Sequence, residues 1–245
     1  MRSIGIIPAA GKSSRMGGLF KELLPVSMAR DSRPVPIIHF AIHQLMNIPV
    51  SKAYVITCPS KASVHMSVLD SGIGVPVCFL NQDEPAGLGD AVLKLEPFVD
   101  NENIAFVMPD TIFTPAHAMK RLADLKEKTG ASLILGLHQV SNPGSFGIVE
   151  FLKGKPLSIV DKPRRPESDW AWSSAVFDKA IFGIIKTLSL NRGEVQLTDA
   201  FSRMVELKYD VMALPFHGGK FYDIGTMNGY VNFLSEQASI SRIRV

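Results

Sequence analysis

Residues 2–25 read RSIGIIPAAGKSSRMGGLFKELLP. The run from Arg2 to Pro8 is short, apolar and rich in isoleucine, the pattern of a strand buried on both faces. It empties into Ala9-Ala10-Gly11-Lys12-Ser13-Ser14-Arg15-Met16-Gly17, and Lys21 precedes Leu23-Leu24-Pro25. A strand that ends in small residues bares backbone N–H groups at a sheet edge. With Arg15 and Lys21 these donors make a cradle for a polyphosphate. The chemistry implied is the handling of a nucleoside triphosphate.

Gly11-Lys12-Ser13 also echoes the end of a Walker A loop, and Asn103–Asp110 could stand for the matching Walker B strand. The upstream glycine, Gly5, lies one residue too far away and inside the strand. A loop that wraps a phosphate does not tolerate a misplaced glycine, so that alternative ranks second.

Working outward, short β-branched runs alternate with amphipathic stretches. Strands are expected over 2–8, 53–58, 76–80, 104–108, 132–138, 147–152, 157–161, 171–177 and 211–215. Helices are expected over 36–47, 61–70, 87–95, 115–128, 178–188, 197–208 and 227–238. The alternation predicts an α/β fold with a largely parallel sheet. Near residue 140 Pro143-Gly144, Gly154, Pro156 and Pro163 separate closely spaced strands, the sign of a small antiparallel insertion. No linker divides the chain, so 1–245 is expected to be a single domain, with 1–140 mainly the nucleotide side of a cleft and 141–245 mainly the acceptor side.

The chain has 245 residues, enough for a sizeable core. Its 26 basic and 23 acidic residues leave a net charge of +3, which argues against nucleic acid as a partner. No apolar run reaches the roughly 20 residues of a membrane span. The first apolar run is too short for a secretory leader, and a cytoplasmic location is expected. Cys58 and Cys78 both sit in apolar stretches and read as small buried hydrophobes. A disulfide between them stays open, and a zinc site is improbable without a nearby histidine pair. The six histidines fall outside the motifs and read as packing or surface residues. A homo-oligomer is compatible with the sequence.

Four further stretches carry chemistry. Asp110 ends the apolar run 104–108, at the edge where open α/β sheets place their ligand crevice. A carboxylate opposite a triphosphate makes sense with Mg²⁺ between them. Asn81–Ala91 contains Gln82, whose amide both donates and accepts, and Gly87 and Gly89, which let backbone approach a flat ligand. Phe146-Gly147 and Asp161-Lys162 lie at strand ends, with Lys162 suited to a second phosphate. Asp223, before Ile224-Gly225-Thr226, could complete a metal site with Asp110. Taken singly, each has a plainer alternative: a tight strand connection, a turn aspartate, a helix cap or an exposed ion pair.

In this order the motifs resemble the sugar-1-phosphate nucleotidyltransferase family, whose familiar members are the glucose-1-phosphate thymidylyl- and uridylyltransferases. The resemblance implies a Rossmann-like, mixed but mostly parallel sheet flanked by helices. It also implies the joining of a nucleoside triphosphate, dTTP or UTP foremost, to a sugar 1-phosphate with release of pyrophosphate. By that likeness Arg15 and Lys21 match the residues on the triphosphate. Ala9, Ala10 and Gly11 match the loop along nucleotide and phosphates, and Gln82, Pro85, Gly87 and Leu88 the segment at base and ribose. Asp110 and Asp223 match the metal ligands. Gly147, Asp161 and Lys162 match the sugar-phosphate side, with Arg15, Lys21 and Lys162 as the catalytic cations. Asp161 stands where Glu is usual, Phe20 where Pro is, Phe146 where Tyr is common, and Ser174 where the sugar pocket commonly has Gly. The loop string also resembles cytidylyltransferases of isoprenoid synthesis and molybdenum-cofactor transferases. A cytidylyltransferase for a non-sugar phosphate, and a silent nucleotide-sugar-binding homologue, are the alternatives.

Overall fold

The structure, a computed structural model, describes residues 2–13, 16–27, 33–84, 86–190 and 194–242. In chain order the elements are β1 (Ser3–Pro8), β2 (Pro25–Val26), β3 (Val35–Pro36), α1 (Ile38–Met46), β4 (Val50–Thr57), α2 (Ala62–Leu69), β5 (Val77–Asn81), α3 (Gly87–Leu93), β6 (Asn103–Val107) and β7 (Thr111–Phe113). There follow α4 (Ala118–Thr129), β8 (Leu133–Gln139), β9 (Gly147–Leu152), β10 (Lys155–Asp161), β11 (Trp170–Phe177), α5 (Ala180–Ser189), α6 (Leu197–Glu206), β12 (Val211–Pro215), β13 (Phe221–Asp223) and α7 (Met227–Arg242). All nine expected strands and all seven expected helices form. The short strands β2, β3, β7 and β13 were not anticipated.

A nine-stranded sheet forms the frame. Strand β1 lies at its heart, parallel to β4 on one side and β6 on the other, and β5 extends the parallel set beyond β4. Every residue of β1 is buried, as its unbroken apolar run requires. Strand β11 runs antiparallel to β6 and to β8, while β12 is parallel to β8. The expected antiparallel insertion is the hairpin β9–β10, hung from the start of β11 through Ala171 and Ile148. Its turn residues Lys153 and Gly154 have φ of 50° and 77°, the mirror-image geometry that matches strand twist in a two-residue loop.

Both faces of the sheet are covered. In β6 the side chains alternate, Ile104 and Phe106 entering one apolar cluster and Ala105 and Val107 the other. Helix α1 buries Ile38, Ala41, Ile42 and Leu45, spaced i, i+3, i+4, i+7, against the second cluster. It comes so close that a Cβ on Gly5 would lie 2.6 Å from Leu45 Cδ1. The first cluster draws on both halves of the chain, from Ile4 to Phe201. Cys58 and Cys78 are half-buried free thiols. Among the described residues no helix is long and apolar enough to cross a membrane.

Candidate active site

The parallel strands β1, β4, β5 and β6 end on one rim. The loop after β1 leaves the sheet with Ala9 N–H still bonded to Ile56 O at 2.6 Å. Ala9 and Ala10 are buried, whereas Gly11 faces open space. Ser13 adopts a φ of 51°, and its buried Oγ has no hydrogen-bond partner among the described residues. Ser14 and Arg15 lie outside the described residues, as does Pro85.

Behind this loop sits an ion pair that sequence reasoning missed. Lys61 Nζ lies 2.7 Å from Glu22 Oε1 and donates to Ala9 O at 2.7 Å. Both side chains are almost wholly buried. The ammonium also stands 5.6 Å from the centre of the Phe20 ring. Lys61 thus ties the loop after β1 to the Lys21–Leu23 turn. Each charge needs the other, since an uncompensated ion costs several kcal/mol in such a place. No local pattern relates positions 22 and 61, so only a lysine in an otherwise mixed stretch could have hinted at it.

Next to Glu22, Lys21 Nζ lies 2.5 Å from Asp110 Oδ2, with Asp110 buried and Lys21 partly so. Burial opposes the Lys21 ammonium, but the Asp110 carboxylate, with Glu22 and Asp223 behind it, outweighs that and holds its pKa above the usual lysine value. Asp110 Oδ1 is buried with no hydrogen-bond partner among the described residues.

The two expected metal ligands come together. Strands β7 and β13 form a three-rung antiparallel ribbon in which Asp223 faces Thr111. Ile224 N–H continues it onto Asp110 O at 2.9 Å. Gly225 N–H donates to Asp223 Oδ1 at 2.8 Å, which orients that carboxylate. Gly229, in the first turn of α7, is needed here because a Cβ would stand 2.0 Å from Asp223 O. The ribbon rests on His138. Its Nε2 donates to Thr114 O at 2.7 Å and its ring packs on Phe113, Phe216 and Phe221. Burial lowers the His138 pKa and keeps the ring neutral.

A cavity of about 370 Å³ opens in front of these groups. Ala10, Gly11, Lys21, Gln82, Gly87 and Leu88 line it, so these residues from separate segments share one cavity. Glu194, Gln196 and Gly225 close it from the second half of the chain, and of these Glu194 and Gln196 were not anticipated. Gly87, at a φ of 90°, and Gly89 let α3 pack against this segment. A Cβ on either would meet Val195 O at 2.8 Å. A second, larger cavity of about 670 Å³ lies beyond the Asp223 turn, lined by Asn142, Phe146, Lys220, Asp223 and Thr226 among others.

The residues expected on the sugar side form a separate group. Gly147 and Asp161 pair across the β9–β10 hairpin, and Lys162 N–H bonds Phe146 O at 2.9 Å. Lys162 Nζ is 3.8 Å from Asp161 Oδ2 and its side chain is 61% exposed. No hydrogen bond or ion pair among the described residues links it to Asp110 or Asp223. Gly147 is also demanded by packing, since a Cβ there would sit 2.3 Å from Trp172 Nε1, which donates to Thr198 Oγ1 at 3.0 Å. Ser174 is wholly buried against Gly136 in the sheet and lines neither cavity.

In sequence and in fold the chain matches known proteins. Residues 4–239 fit the sequence profile of the family described as nucleotidyl transferase. The chain is 32% identical over 204 residues to glucose-1-phosphate thymidylyltransferase of Neisseria meningitidis serogroup A, covering 80% of this chain and 68% of that one. It is 27% identical over 270 residues to a UTP–glucose-1-phosphate uridylyltransferase of Streptococcus pyogenes serotype M1, covering 92% and 85%. In three dimensions it resembles a Bacillus anthracis protein described as a glucose-1-phosphate thymidylyltransferase, with a TM-score of 0.82 at 25% identity, covering 95% and 94%. By its profile match and by these likenesses, the chain belongs to the sugar-1-phosphate nucleotidyltransferases of the nucleotidyl transferase family.

Proposed function

We propose that this protein joins a nucleoside triphosphate, UTP or dTTP, to a sugar 1-phosphate, foremost glucose 1-phosphate, and releases pyrophosphate. The observation that carries this is the convergence of Lys21, Asp110 and Asp223 beside a cavity lined by Gln82, Gly87 and Leu88. Residues 1–140 mainly supply the nucleotide side and 141–245 the acceptor side of one domain, in the cytoplasm.

The sugar phosphate needs no activating serine, cysteine or histidine. Its second ionisation lies near pH 6, so its oxygen is already anionic at neutral pH. The protein must hold two anions in line and steady the charge that moves onto the bridging oxygens. Backbone N–H groups of the 9–13 loop, with Arg15 and Lys21, bind the triphosphate. Lys162 draws in the acceptor phosphate, and Gly147 and Asp161 flank the sugar. Asp110 and Asp223 suit a magnesium ion. One Asp110 oxygen is buried without a partner, and among the described residues no set of three or more His, Cys, Asp or Glu competes as a cage. Magnesium there would offset charge on the triphosphate and polarise its α-phosphoryl group.

The test is a panel of UTP, dTTP, CTP, ATP and GTP against glucose 1-phosphate, other sugar 1-phosphates and polyol phosphates, read by pyrophosphate release with magnesium. Release with UTP or dTTP and a sugar 1-phosphate is expected. Release only with CTP and a non-sugar phosphate would replace this function with a cytidylyltransferase, and nucleotide binding without any release would replace it with a silent homologue.

A further inference from the structure

Gln82 is 3% exposed and lines the nucleotide cavity. Its Nε2 donates to Asp90 Oδ2 at 2.7 Å and to Gly87 O at 3.3 Å. A carboxylate and a carbonyl only accept, so the chemistry of these two partners decides which end of the amide turns inward. The Gln82 Oε1 is left for the cavity, and among the described residues it accepts no hydrogen bond. Asp90 is itself held in place. It lies on α3, whose Gly89 N–H bonds Val195 O at 2.9 Å, and its Oδ1 stands 3.9 Å from Lys94 Nζ. Helix α3 lies close against the 194–195 segment at Gly87 and Gly89, where an added Cβ would stand 2.8 Å from Val195 O.

We infer that Asp90 is a positioning residue for base selection: it locks the Gln82 amide with its oxygen toward the base, so that the site accepts a pyrimidine with a ring N–H and rejects cytosine. This rests on the proposed nucleotidyl transfer. Uracil and thymine present an N3–H that donates to Oε1. Cytosine presents a lone pair at N3, which would face the lone pairs of Oε1 and leave both buried acceptors unsatisfied. A site built around one hydrogen bond discriminates strongly against a ligand that cannot make it. The loop 9–17, whose string is shared with cytidylyltransferases, then does not set the base.

The experiment compares the full chain with its Asp90→Asn variant. Pyrophosphate release and equilibrium dialysis are both measured with UTP and with CTP. The introduced amide can donate to Gln82 Oε1, which lets Gln82 turn over and present Nε2 to cytosine N3. The ratio of kcat/KM for CTP over UTP should rise about tenfold, the value of one modest hydrogen bond, with Gly87 O still favouring the original polarity. In the double variant Gln82→Glu with Asp90→Asn the inner bond is reversed and an acceptor again faces the base, so the ratio should fall back. A merely structural Asp90 would slow both nucleotides alike. An unmoved ratio in Asp90→Asn, or a relaxed ratio that persists in the double variant, overturns the inference. So does equal binding of UTP and CTP by the unaltered protein, even if pyrophosphate release proves the transfer reaction. If neither nucleotide binds, both the inference and the proposed function fall.

Discussion

Glu22, Lys61, Lys21 and Asp110 sit within the protein, each charge locked to a partner, whereas Lys162 and Asp161 stand on the end of a hairpin with Lys162 mostly in water. The flank proposed for the nucleotide is held in place by the protein's own contacts. Its loop is pinned by Lys61 on Ala9 O, and its carboxylate is pinned by Lys21. The flank proposed for the acceptor offers a partly exposed aspartate and a mostly exposed lysine. Preorganised charge in a dry site is strong and costs no rearrangement, while exposed charge is screened and adaptable. The contrast teaches that, under the proposed function, the two substrates would meet different kinds of recognition, a rigid one for the triphosphate and a looser one for the acceptor.

The largest break in that contrast should come from Asp110→Asn. It removes a proposed metal ligand and strips Lys21 of its nearest counter-charge, and turnover should fall by about 10³-fold, the size of losing a preorganised electrostatic contact. Pyrophosphate release at saturating magnesium checks this, with circular dichroism to show an intact fold. Turnover within a few-fold of normal would remove Asp110 from the chemistry.

Glu22→Gln comes next. It strands the Lys61 ammonium in a buried site, so unfolding in urea should require about 3 kcal/mol less. Replacing both partners with apolar residues of similar volume should recover most of that loss. If the single change leaves the urea midpoint untouched, the pair does not hold the loop.

Lys162→Ala should be milder and selective. Its exposure places it at the low end for a charge-assisted hydrogen bond, so KM for the sugar phosphate should rise about tenfold. KM for the nucleotide should stay put, and a change confined to the nucleotide would reverse the assignment of the two flanks.

The smallest effect sharpens the support beneath the aspartates. The folded protein holds His138 neutral by burial, below its ordinary value near 6.5. Below that value the unfolded chain takes up the proton more readily, so stability is full above about pH 6.5 and declines as the pH falls through it. Urea midpoints between pH 7.5 and 5.5 should drop in the unaltered protein and change less in His138→Gln.

Much of the frame was legible before any coordinates. The nine strands of the large sheet are runs of alternating or unbroken apolar residues, and the helices carry their burial at i, i+3, i+4 spacing, as in α1 and α6. The site was legible in part. Ala10, Gly11, Gln82, Gly87 and Leu88 do share one cavity, because each follows a parallel strand that ends on the same rim. Ser174 was less legible, since a small polar residue in a central strand looks the same whether it faces a pocket or, as here, a packed glycine. Glu22–Lys61 and Gln82–Asp90 were invisible as pairs, although their members were in plain sight.

By itself the sequence determined the order of strands and helices and the placing of ligand-type residues at strand ends, since periodicity and chain reversal are local properties. Only the tertiary structure decided that Asp110 and Asp223 share one ribbon, that Lys21 leans on Asp110 and that Lys61 reaches back to Glu22. Strands of three residues have too little pattern to announce themselves. An ion pair between distant segments forms only where the fold has already removed the water that would otherwise separate its charges.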